Sequence, residues 1–271
     1  MTRTECEAAR ITFLLPIKMP APFLEQTLRS LTTQECPSWS LLVVFDGPAG
    51  DAKGLIESII PRGKLTFAVA EGGTGIVAAL NTGLASVQTP YVARIDADDL
   101  CHPSRVGTLL KTLDSPRRPL LVCSSSTIIN ESGLKVGNVT VPTADQFQER
   151  MVFRNFVVHS SVAFRTKEIR ALGGYNMSCD AIEDYDLWLR CARVGTISPI
   201  QEELVAYRIS EGQISRRASR RSSRLYVMAG QIELGASLGK SRLLTALGSL
   251  LWFLGQEPGV RNRFGRLRKL R

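Results

Sequence analysis

The alternation of short apolar runs with helical patterns is the feature that most restricts the fold of this 271-residue chain. Each apolar run is bounded by turn-forming residues, which is typical of a buried strand. Amphipathic helices are predicted between the runs, from apolar residues three and four positions apart. Such alternation favours right-handed βαβ units, so we predict an α/β fold with a mostly parallel sheet and helices on both faces. The predicted strands are Ile11–Ile17, 41–45, 65–70 and 91–95, and the predicted helices cover about 21–35, 76–84 and 106–113.

The second half of the chain has a mixed pattern. Residues 121–123, 127–129 and 157–164 have the composition of strands, and residues 182–192 that of a helix with acids at its start. No linker-like segment separates the two halves. We therefore predict one domain over about 1–215, followed by a basic helical extension over 216–271.

Charge is unevenly distributed along the chain. The formal net charge is +9, but 14 basic and 3 acidic residues lie from Tyr207 to the C-terminus, so the preceding part is nearly neutral. No secretory signal is visible, and the six cysteines form no C-x-x-C pair. The longest apolar stretch, 243–255, is shorter than the ~20 residues that span a bilayer. We therefore expect a cytoplasmic protein, either dissolved or peripheral on the inner face of the cell membrane.

Carboxylates follow two of the predicted strands. Asp46 comes after the second strand, and Asp96, Asp98 and Asp99 come after the fourth. Ligands of parallel α/β sheets bind at the carboxyl ends of the strands. Asp96 and Asp98 project to the same side of an extended backbone, and Mg²⁺ or Mn²⁺ prefers such oxygen ligands together with substrate phosphates. A polar turn would also account for these acids, but their position at a strand end favours a cation site.

A second acidic group opens the late helix. Glu183, Asp184 and Asp186 lie within four residues of one another. The helix dipole accounts for one or two acids in a first turn. A carboxylate that faces the cation site would instead serve as a general base. The pattern by itself leaves both interpretations open.

The histidines do not favour a hydrolytic site. His102 is interpreted as a loop residue, and His159, beside an apolar stretch, as a hydrogen-bonded core residue. No serine elbow accompanies either of them, so a catalytic triad has no support.

Seven short motifs occur in order between about residues 11 and 215. They are Leu15-Pro16-Ile17, Leu28-Arg29-Ser30-Leu31 with Gln34, Val43-Val44-Phe45-Asp46-Gly47-Pro48, Ala79-Leu80-Asn81-Thr82-Gly83-Leu84, Ala93-Arg94-Ile95-Asp96-Ala97-Asp98-Asp99, Leu172-Gly173-Gly174-Tyr175 and Glu183-Asp184-Tyr185-Asp186-Leu187-Trp188-Leu189-Arg190. Each motif is common by itself, whereas the ordered and spaced set is specific. The set resembles the family 2 glycosyltransferases.

The resemblance implies a GT-A fold, which is Rossmann-like, and inverting transfer of a sugar from a nucleotide-sugar donor with Mg²⁺ or Mn²⁺. It implies a catalytic domain with a nucleotide-binding half over about 10–115 and an acceptor half over about 116–215. In the family, the positions of Pro16, Ile17 and Asp46 hold the nucleotide base. Asp96 falls beside the ribose and phosphates.

The same resemblance assigns the reactive carboxylates. Asp98 matches the metal-ligating aspartate of the family, and Asp96 is the second candidate ligand. Asp184 matches the base that activates the acceptor, with Glu183 beside it. Inversion is a single displacement, which agrees with the absence of a recognisable serine or cysteine nucleophile.

Some positions depart from the family pattern. Phe45 replaces the first of two aspartates before the glycine of the base-binding turn, and Gly73 stands where relatives commonly have Asn. Ser210 stands where many relatives carry a histidine that is available to phosphate or metal. Guanidinium groups suit a diphosphate, although they are equally compatible with solvated positions. The arginines in question are Arg208, Arg216 and Arg217.

The C-terminal extension permits two interpretations. Basic flanks around an apolar stretch with Trp252 suit an anionic membrane surface, where lipid-linked acceptors would be present. A helix packed on the catalytic domain, with solvated arginines, is the equal alternative. A nucleic-acid partner is not favoured, because no recognised module or interleaved aromatic residues accompany the basic residues.

The main hypothesis is an inverting, metal-dependent glycosyltransferase that uses a saccharide or lipid-linked saccharide acceptor in surface polysaccharide or glycolipid synthesis. One alternative is a catalytically inactive glycosyltransferase-like scaffold that binds membrane or nucleic acid through its basic extension. The other is a metal-dependent nucleotidyltransferase. That class usually has a glycine-rich basic loop after the first strand, which residues 18–22 match poorly.

Overall fold

The computed structural model describes residues 8–210 and 219–256. Within these residues, nine strands form one sheet. They are β1 Ile11–Ile17, β2 Trp39–Phe45, β3 Leu65–Val69, β4 Tyr91–Arg94, β5 Leu100–Cys101, β6 Leu121–Ile129, β7 Lys135–Val139, β8 Val162–Arg165 and β9 Ile197–Arg208. Their order in the sheet is β3-β2-β1-β4-β8-β6-β9-β5, and β7 pairs with β6.

The first four strands form a parallel ladder. β1 pairs with β2 from Ile11 opposite Trp39 to Ile17 opposite Phe45, and β4 lies on its other side. β3 continues the ladder beyond β2. The carboxyl ends of these strands therefore lie at one edge of the sheet. Every antiparallel pair in the described residues involves one of the strands β6–β9, which agrees with the mixed pattern of the second half.

Helices cover both faces of the sheet, which confirms the predicted α/β fold. Successive residues of a strand point to opposite faces. The described helices are α1 Leu24–Thr32, α2 Ala52–Ile59, α3 Ile76–Ser86, α4 Arg105–Leu113, α5 Ala144–Met151, α6 Thr166–Ala171, α7 Glu183–Val194, α8 Arg221–Ser237 and α9 Arg242–Gly255. Leu14 packs in one core with residues of α3 and α7, whereas Phe13 and Leu15 pack in the other with residues of α1 and α4.

The predicted strand over 157–164 is wrong in its first half. The structure has a 3₁₀ turn at His159–Ser161, and only then does β8 begin. The turn takes the backbone out of the sheet and brings the hydroxyl of Ser160 to 3.0 Å from a carboxylate oxygen of Asp96. At residues 159–161, a turn with the hydrogen bond between Ser160 and Asp96 therefore stands where the apolar pattern predicts strand pairing.

Several elements are not predicted by the sequence pattern, namely α2, α5, α6, β5, β7 and β9. The runs 121–123 and 127–129 are parts of one strand, β6, rather than two. The three serines between them, Ser124, Ser125 and Ser126, are buried and continue the pairing of β6 with β9, with local shifts in register. Small polar residues weaken the apolar signal of a strand even where tertiary contacts bury them.

The C-terminal extension is helical where the structure describes it. α8 packs on α7, and α9 packs on α8. Arg216, Arg217 and residues 257–271 lie outside the described residues. No helix within 8–210 and 219–256 combines the length and the apolar character that crossing a membrane requires.

Candidate active site

Asp46 joins the ends of β1 and β2 to the start of α3. Its backbone N–H donates to the carbonyl oxygen of Ile17 at 2.8 Å, and its carboxylate accepts a hydrogen bond from the backbone N–H of Gly75 at 2.9 Å. The Nζ atom of Lys18 lies 3.7 Å from the second carboxylate oxygen. Pro16 and Ile17 are buried within β1, so their side chains have little surface to offer a ligand.

The acidic cluster lies directly after β4, at the same sheet edge. Asp96, Asp98 and Asp99 each offer one carboxylate oxygen within 4.8 Å of the others. Asp96 and Asp98 are half-buried, and Asp99 is fully buried. Three carboxylates at this spacing concentrate negative charge, and a hard divalent cation would offset that charge.

Arg94 and Ser160 hold the side chain of Asp96. Arg94 is buried at the end of β4 and forms an ion pair with Asp96. The Oγ atom of Ser160 donates to Oδ2 of Asp96 and accepts from its backbone N–H, both at 3.0 Å. The buried guanidinium of Arg105 in turn donates to the carbonyl oxygens of Arg94 (2.8 Å) and Ser160 (2.6 Å). Sequence reasoning missed Ser160, whose only signal is a polar pair of serines inside an apolar run.

Arg208 is neither solvated nor directed at a ligand, the two roles considered from sequence. It is fully buried and donates to the backbone oxygens of Asp98 (2.9 Å), Asn130 (3.1 Å) and Glu131 (3.1 Å). Its backbone N–H donates to Oδ1 of Asp99 at 2.8 Å. Arg208 therefore fixes the acidic loop against the end of β9.

The electrostatics of the cluster suit a bound cation. Burial and the charge of Asp96 raise the pKa of Asp98 to about 6. Burial and the charges of Asp96 and Asp98 also raise the pKa of Asp99 well above its ordinary value. The Oδ2 atom of Asp99 is buried without a hydrogen-bond partner among the described residues. A divalent cation would offset the mutual repulsion of the three carboxylates and would give Oδ2 of Asp99 a partner, so the residues fit Mg²⁺ or Mn²⁺.

The second acidic group lies in the first turn of α7, where the helix dipole stabilises negative charge. Asp184 is half-buried, and its Oδ2 atom accepts a hydrogen bond from the side-chain amide of Asn155 at 2.9 Å. Glu183 is only 7% exposed, and its Oε2 atom has no hydrogen-bond partner among the described residues. Asn155 is a second residue that the sequence pattern did not reveal.

Burial shifts the proton affinity of both carboxylates. It raises the pKa of Glu183 to about 8, with a further contribution from the charge of Asp184. It also raises the pKa of Asp184, although the hydrogen bonds from the backbone of Tyr185 and from Asn155 oppose that shift. Burial therefore favours the protonated form of Glu183, whereas the hydrogen bonds to Asp184 favour its charged form.

His159 is hydrogen-bonded, as interpreted from sequence, but it is half-buried at the wall of a cavity rather than enclosed in the core. Its Nε2 atom lies 3.0 Å from the hydroxyl of Tyr175, and its ring meets the edge of Trp188 with centroids 5.8 Å apart. Burial and the charge of Arg94 lower its pKa well below the ordinary value. The neutral imidazole lines the cavity described next.

A cavity of about 810 Å³ brings the two acidic groups together. Asp96, Glu183 and Asp184 all line it, and Asp98 adjoins it through the acidic cluster. Arg150 and Arg154 add positive charge to its wall. The cavity could thus hold a cation-bound diphosphate near a carboxylate that accepts a proton. Of the predicted site residues, those not on its wall are Pro16, Ile17, Asp46 and Asp98.

The fold is similar to those of solved glycosyltransferases. TarS from S. aureus, in a crystal structure with UDP-GlcNAc, has 16% identity and a TM-score of 0.67, and the match covers 91% of this chain and 72% of that one. The mannosyltransferase PcManGT from Pyrobaculum calidifontis, solved with GDP-Man and Mn²⁺, has 17% identity and a TM-score of 0.60, over 97% and 75%. At these identities the likeness concerns the fold, which is the GT-A fold expected from the motifs.

Sequence relatives point the same way. The amylovoran biosynthesis glycosyltransferase AmsE of Erwinia amylovora is 27% identical over 201 residues, which cover 72% of this chain and 73% of AmsE. An uncharacterized glycosyltransferase of Haemophilus influenzae is 28% identical over 214 residues, which cover 75% and 76%. The family model described as Glycosyl transferase family 2 matches residues 12–170, more than half of the chain. This chain therefore belongs to glycosyl transferase family 2.

Proposed function

We propose that this glycosyltransferase transfers a sugar, with inversion, from a nucleoside-diphosphate sugar to an acceptor hydroxyl. The observation that carries the proposal is the cavity that joins Asp96 to Asp184. The leaving group and the nucleophile of a displacement would then lie in the same cavity, with the diphosphate beside the acidic cluster and the acceptor alcohol beside α7. The bound UDP-GlcNAc and GDP-Man in the two structural neighbours support a donor of this class.

At the donor end, Asp98 and Asp96 would hold Mg²⁺ or Mn²⁺. A bound cation supplies charge neutralisation to the departing diphosphate. Asp46, Pro16 and Ile17 would hold the nucleotide base, mainly through the exposed backbone after β1 and the carboxylate of Asp46. The Mn²⁺ in the PcManGT structure supports a metal of this kind. Ser160 and Arg94 keep Asp96 oriented, so these two are positioning residues.

At the acceptor end, Asp184 would act as the general base. The proton of the acceptor hydroxyl passes to the Asp184 carboxylate, the oxygen forms a bond to the anomeric carbon, and the bond from that carbon to the diphosphate breaks. Asn155 holds one carboxylate oxygen of Asp184 in place. Burial favours the protonated form of Glu183, so Glu183 would tune the pKa of Asp184 rather than accept the proton itself.

The acceptor is proposed to be a saccharide or a lipid-linked saccharide, in surface polysaccharide or glycolipid synthesis at the cytoplasmic face of the membrane. The name of the relative AmsE, which refers to amylovoran biosynthesis, supports this class. The proposed division of labour follows the chain, with residues 10–115 binding the donor and residues 116–215 the acceptor.

The test compares Asp98→Asn and Asp184→Asn with the wild type. Donor binding is measured as the thermal shift with UDP-, GDP- and dTDP-sugars, with and without Mn²⁺, since a ligand of the native state raises the melting temperature. Sugar transfer is then measured with the donor that binds. We expect each variant to lose at least about 100-fold in transfer rate, with Asp98→Asn also losing the metal-dependent shift.

Asp145→Asn is the matched control, because Asp145 is an exposed acid in the first turn of α5. It should retain full transfer. Full activity in both site variants would overturn the proposed chemistry. With a nucleoside triphosphate as donor, transfer of a nucleoside monophosphate and release of pyrophosphate would identify a nucleotidyltransferase instead. Donor binding without any turnover would identify a scaffold.

A further inference from the structure

Helix α9 carries an apolar face that no described residue covers. Six of its leucines are between 45% and 79% exposed. At about 100° per residue they fall within a sector of about 120° on one side of the helix. They are Leu243, Leu244, Leu247, Leu250, Leu251 and Leu254, hereafter the leucine face.

The opposite side of α9 carries small or polar residues together with Trp252, and it is this side that packs on the protein. Thr245 and Ser249 are buried. A Cβ atom at Gly248 would lie 2.7 Å from the ring of Phe153, and one at Gly235 of α8 would lie 2.6 Å from Thr245, so both contacts are close. A surface helix ordinarily buries its apolar stripe and exposes its polar residues. In α9 the six leucines are exposed instead, although the other side of the helix packs closely on the protein.

The surface on which α9 packs lies beside the acceptor end of the cavity. Phe153, which contacts α9, precedes Arg154 in the chain, and Arg154 lines the cavity. On the next turn of α9, the ring of Trp252 meets the edge of Tyr185, with centroids 5.8 Å apart. Tyr185 follows the proposed base Asp184 directly. Helix α9 therefore packs on two residues, Phe153 and Tyr185, whose chain neighbours Arg154 and Asp184 line the cavity.

The charges around this face indicate which partner fits it. Arg242 opens α9 and is exposed, as are Arg150 and Arg154 at the cavity wall. The sequence after α9 is also basic, with six basic residues among positions 261–271, which lie outside the described residues. An exposed apolar helix face with basic surroundings complements an anionic bilayer surface. A second copy of the chain would instead bring two basic surfaces together, which like-charge repulsion opposes.

We propose that the leucine face of α9 binds the surface of an anionic phospholipid bilayer, with the helix parallel to the membrane plane. Its 14 residues are too few to span a bilayer, which agrees with binding at the surface. The binding itself does not require the proposed sugar transfer. Its use, which is to hold the cavity near a lipid-linked acceptor, rests on that proposed function.

The test is co-sedimentation of the full chain with vesicles of phosphatidylglycerol and phosphatidylcholine in equal parts, or of phosphatidylcholine alone. The variant Leu247→Gln/Leu251→Gln removes the centre of the leucine face without adding charge. The matched control is Val136→Gln/Val194→Gln, two exposed valines on β7 and α7. We expect at least about tenfold weaker binding to the anionic vesicles for the leucine variant, and wild-type binding for the valine variant.

Three results would overturn the proposal. They are absence of wild-type binding to anionic vesicles, equal binding by the leucine variant, and equal loss in both variants. A wild-type dimer that the leucine variant disrupts, in size-exclusion chromatography with light scattering, would assign the face to a second copy. The thermal shift with nucleotide-sugars is measured on the same variants and should be unchanged, so failure of membrane binding is distinguishable from failure of the proposed sugar transfer.

Discussion

Replacing Glu183 with Gln tests whether burial sets the protonation of the α7 carboxylates. Glu183 is 7% exposed, it adjoins the charge of Asp184, and its Oε2 atom has no hydrogen-bond partner among the described residues. Its pKa is raised from 4.5 to about 8. Between these two values the native protein keeps a proton that the unfolded chain has lost. The stability contributed by neutral Glu183 is therefore complete below pH 4.5 and is lost as the pH rises toward 8.

The magnitude follows from the linkage between protonation and folding. Each pH unit in this window costs about 1.4 kcal/mol of unfolding free energy for one group. From about pH 5.5 to about pH 8, the wild type would thus lose about 3 kcal/mol through Glu183. Glutamine has a similar shape and does not ionise. The Glu183→Gln variant should therefore gain about 3 kcal/mol relative to the wild type across this interval.

The assay is urea unfolding followed by circular dichroism at the two pH values, without donor or metal. Glu168→Gln is the control, since Glu168 is an exposed acid in the first turn of α6 and stays in water when charged. It should change the free energy of unfolding little at either pH. Two parallel stability curves for wild type and Glu183→Gln would refute the reasoning, because they would mean that Glu183 has the same proton affinity in both states.

Three further substitutions test a hydrogen bond at the site and the packing of two helices. Ser160→Ala removes the hydroxyl that is hydrogen-bonded to the carboxylate and the backbone N–H of Asp96. We expect the free energy of unfolding in urea to fall by about 1.5–3 kcal/mol, and the metal-dependent thermal shift with the donor to become smaller. Unchanged stability would contradict this. Gly83→Ala places a Cβ 2.2 Å from Leu14 and should lower the free energy of unfolding in urea by about 1–3 kcal/mol. Gly54→Ala, whose Cβ would have no atom within 4 Å, should raise that free energy by about 0.5–1 kcal/mol, because alanine favours the helix α2. Equal effects of the two alanines would show that close packing at α3 is not the cause.

Much of the donor half is predictable from local pattern. β1 has the predicted bounds, and the other three parallel strands differ from prediction by one or two residues at an end. The reason is that β1, β2 and β4 are buried on both faces, so their apolar runs are continuous, whereas the edge strand β3 is only partly buried. Asp46 and Asp96 follow those strands directly, and the parallel ladder then brings them to one edge of the sheet.

The acceptor half is less predictable because its signals are weaker and its contacts are longer. Buried serines conceal the length of β6, and the turn at His159–Ser161 lies within an apolar run. The hydrogen bond that accompanies this turn joins Ser160 to Asp96, residues 64 positions apart. The hydrophobic periodicity of a short segment carries no signal of a contact between residues so far apart in the chain.

The sequence by itself determined the α/β fold, the sheet edge that gathers the carboxylates, and the family, because strand periodicity and motif order are local properties of the chain. Only the tertiary structure decided that Arg208 is buried and hydrogen-bonded to the acidic loop, and that burial raises the pKa of Glu183. It also decided which side of α9 faces outward. These properties depend on burial and on partners far away in the chain, and both arise only when the elements pack together.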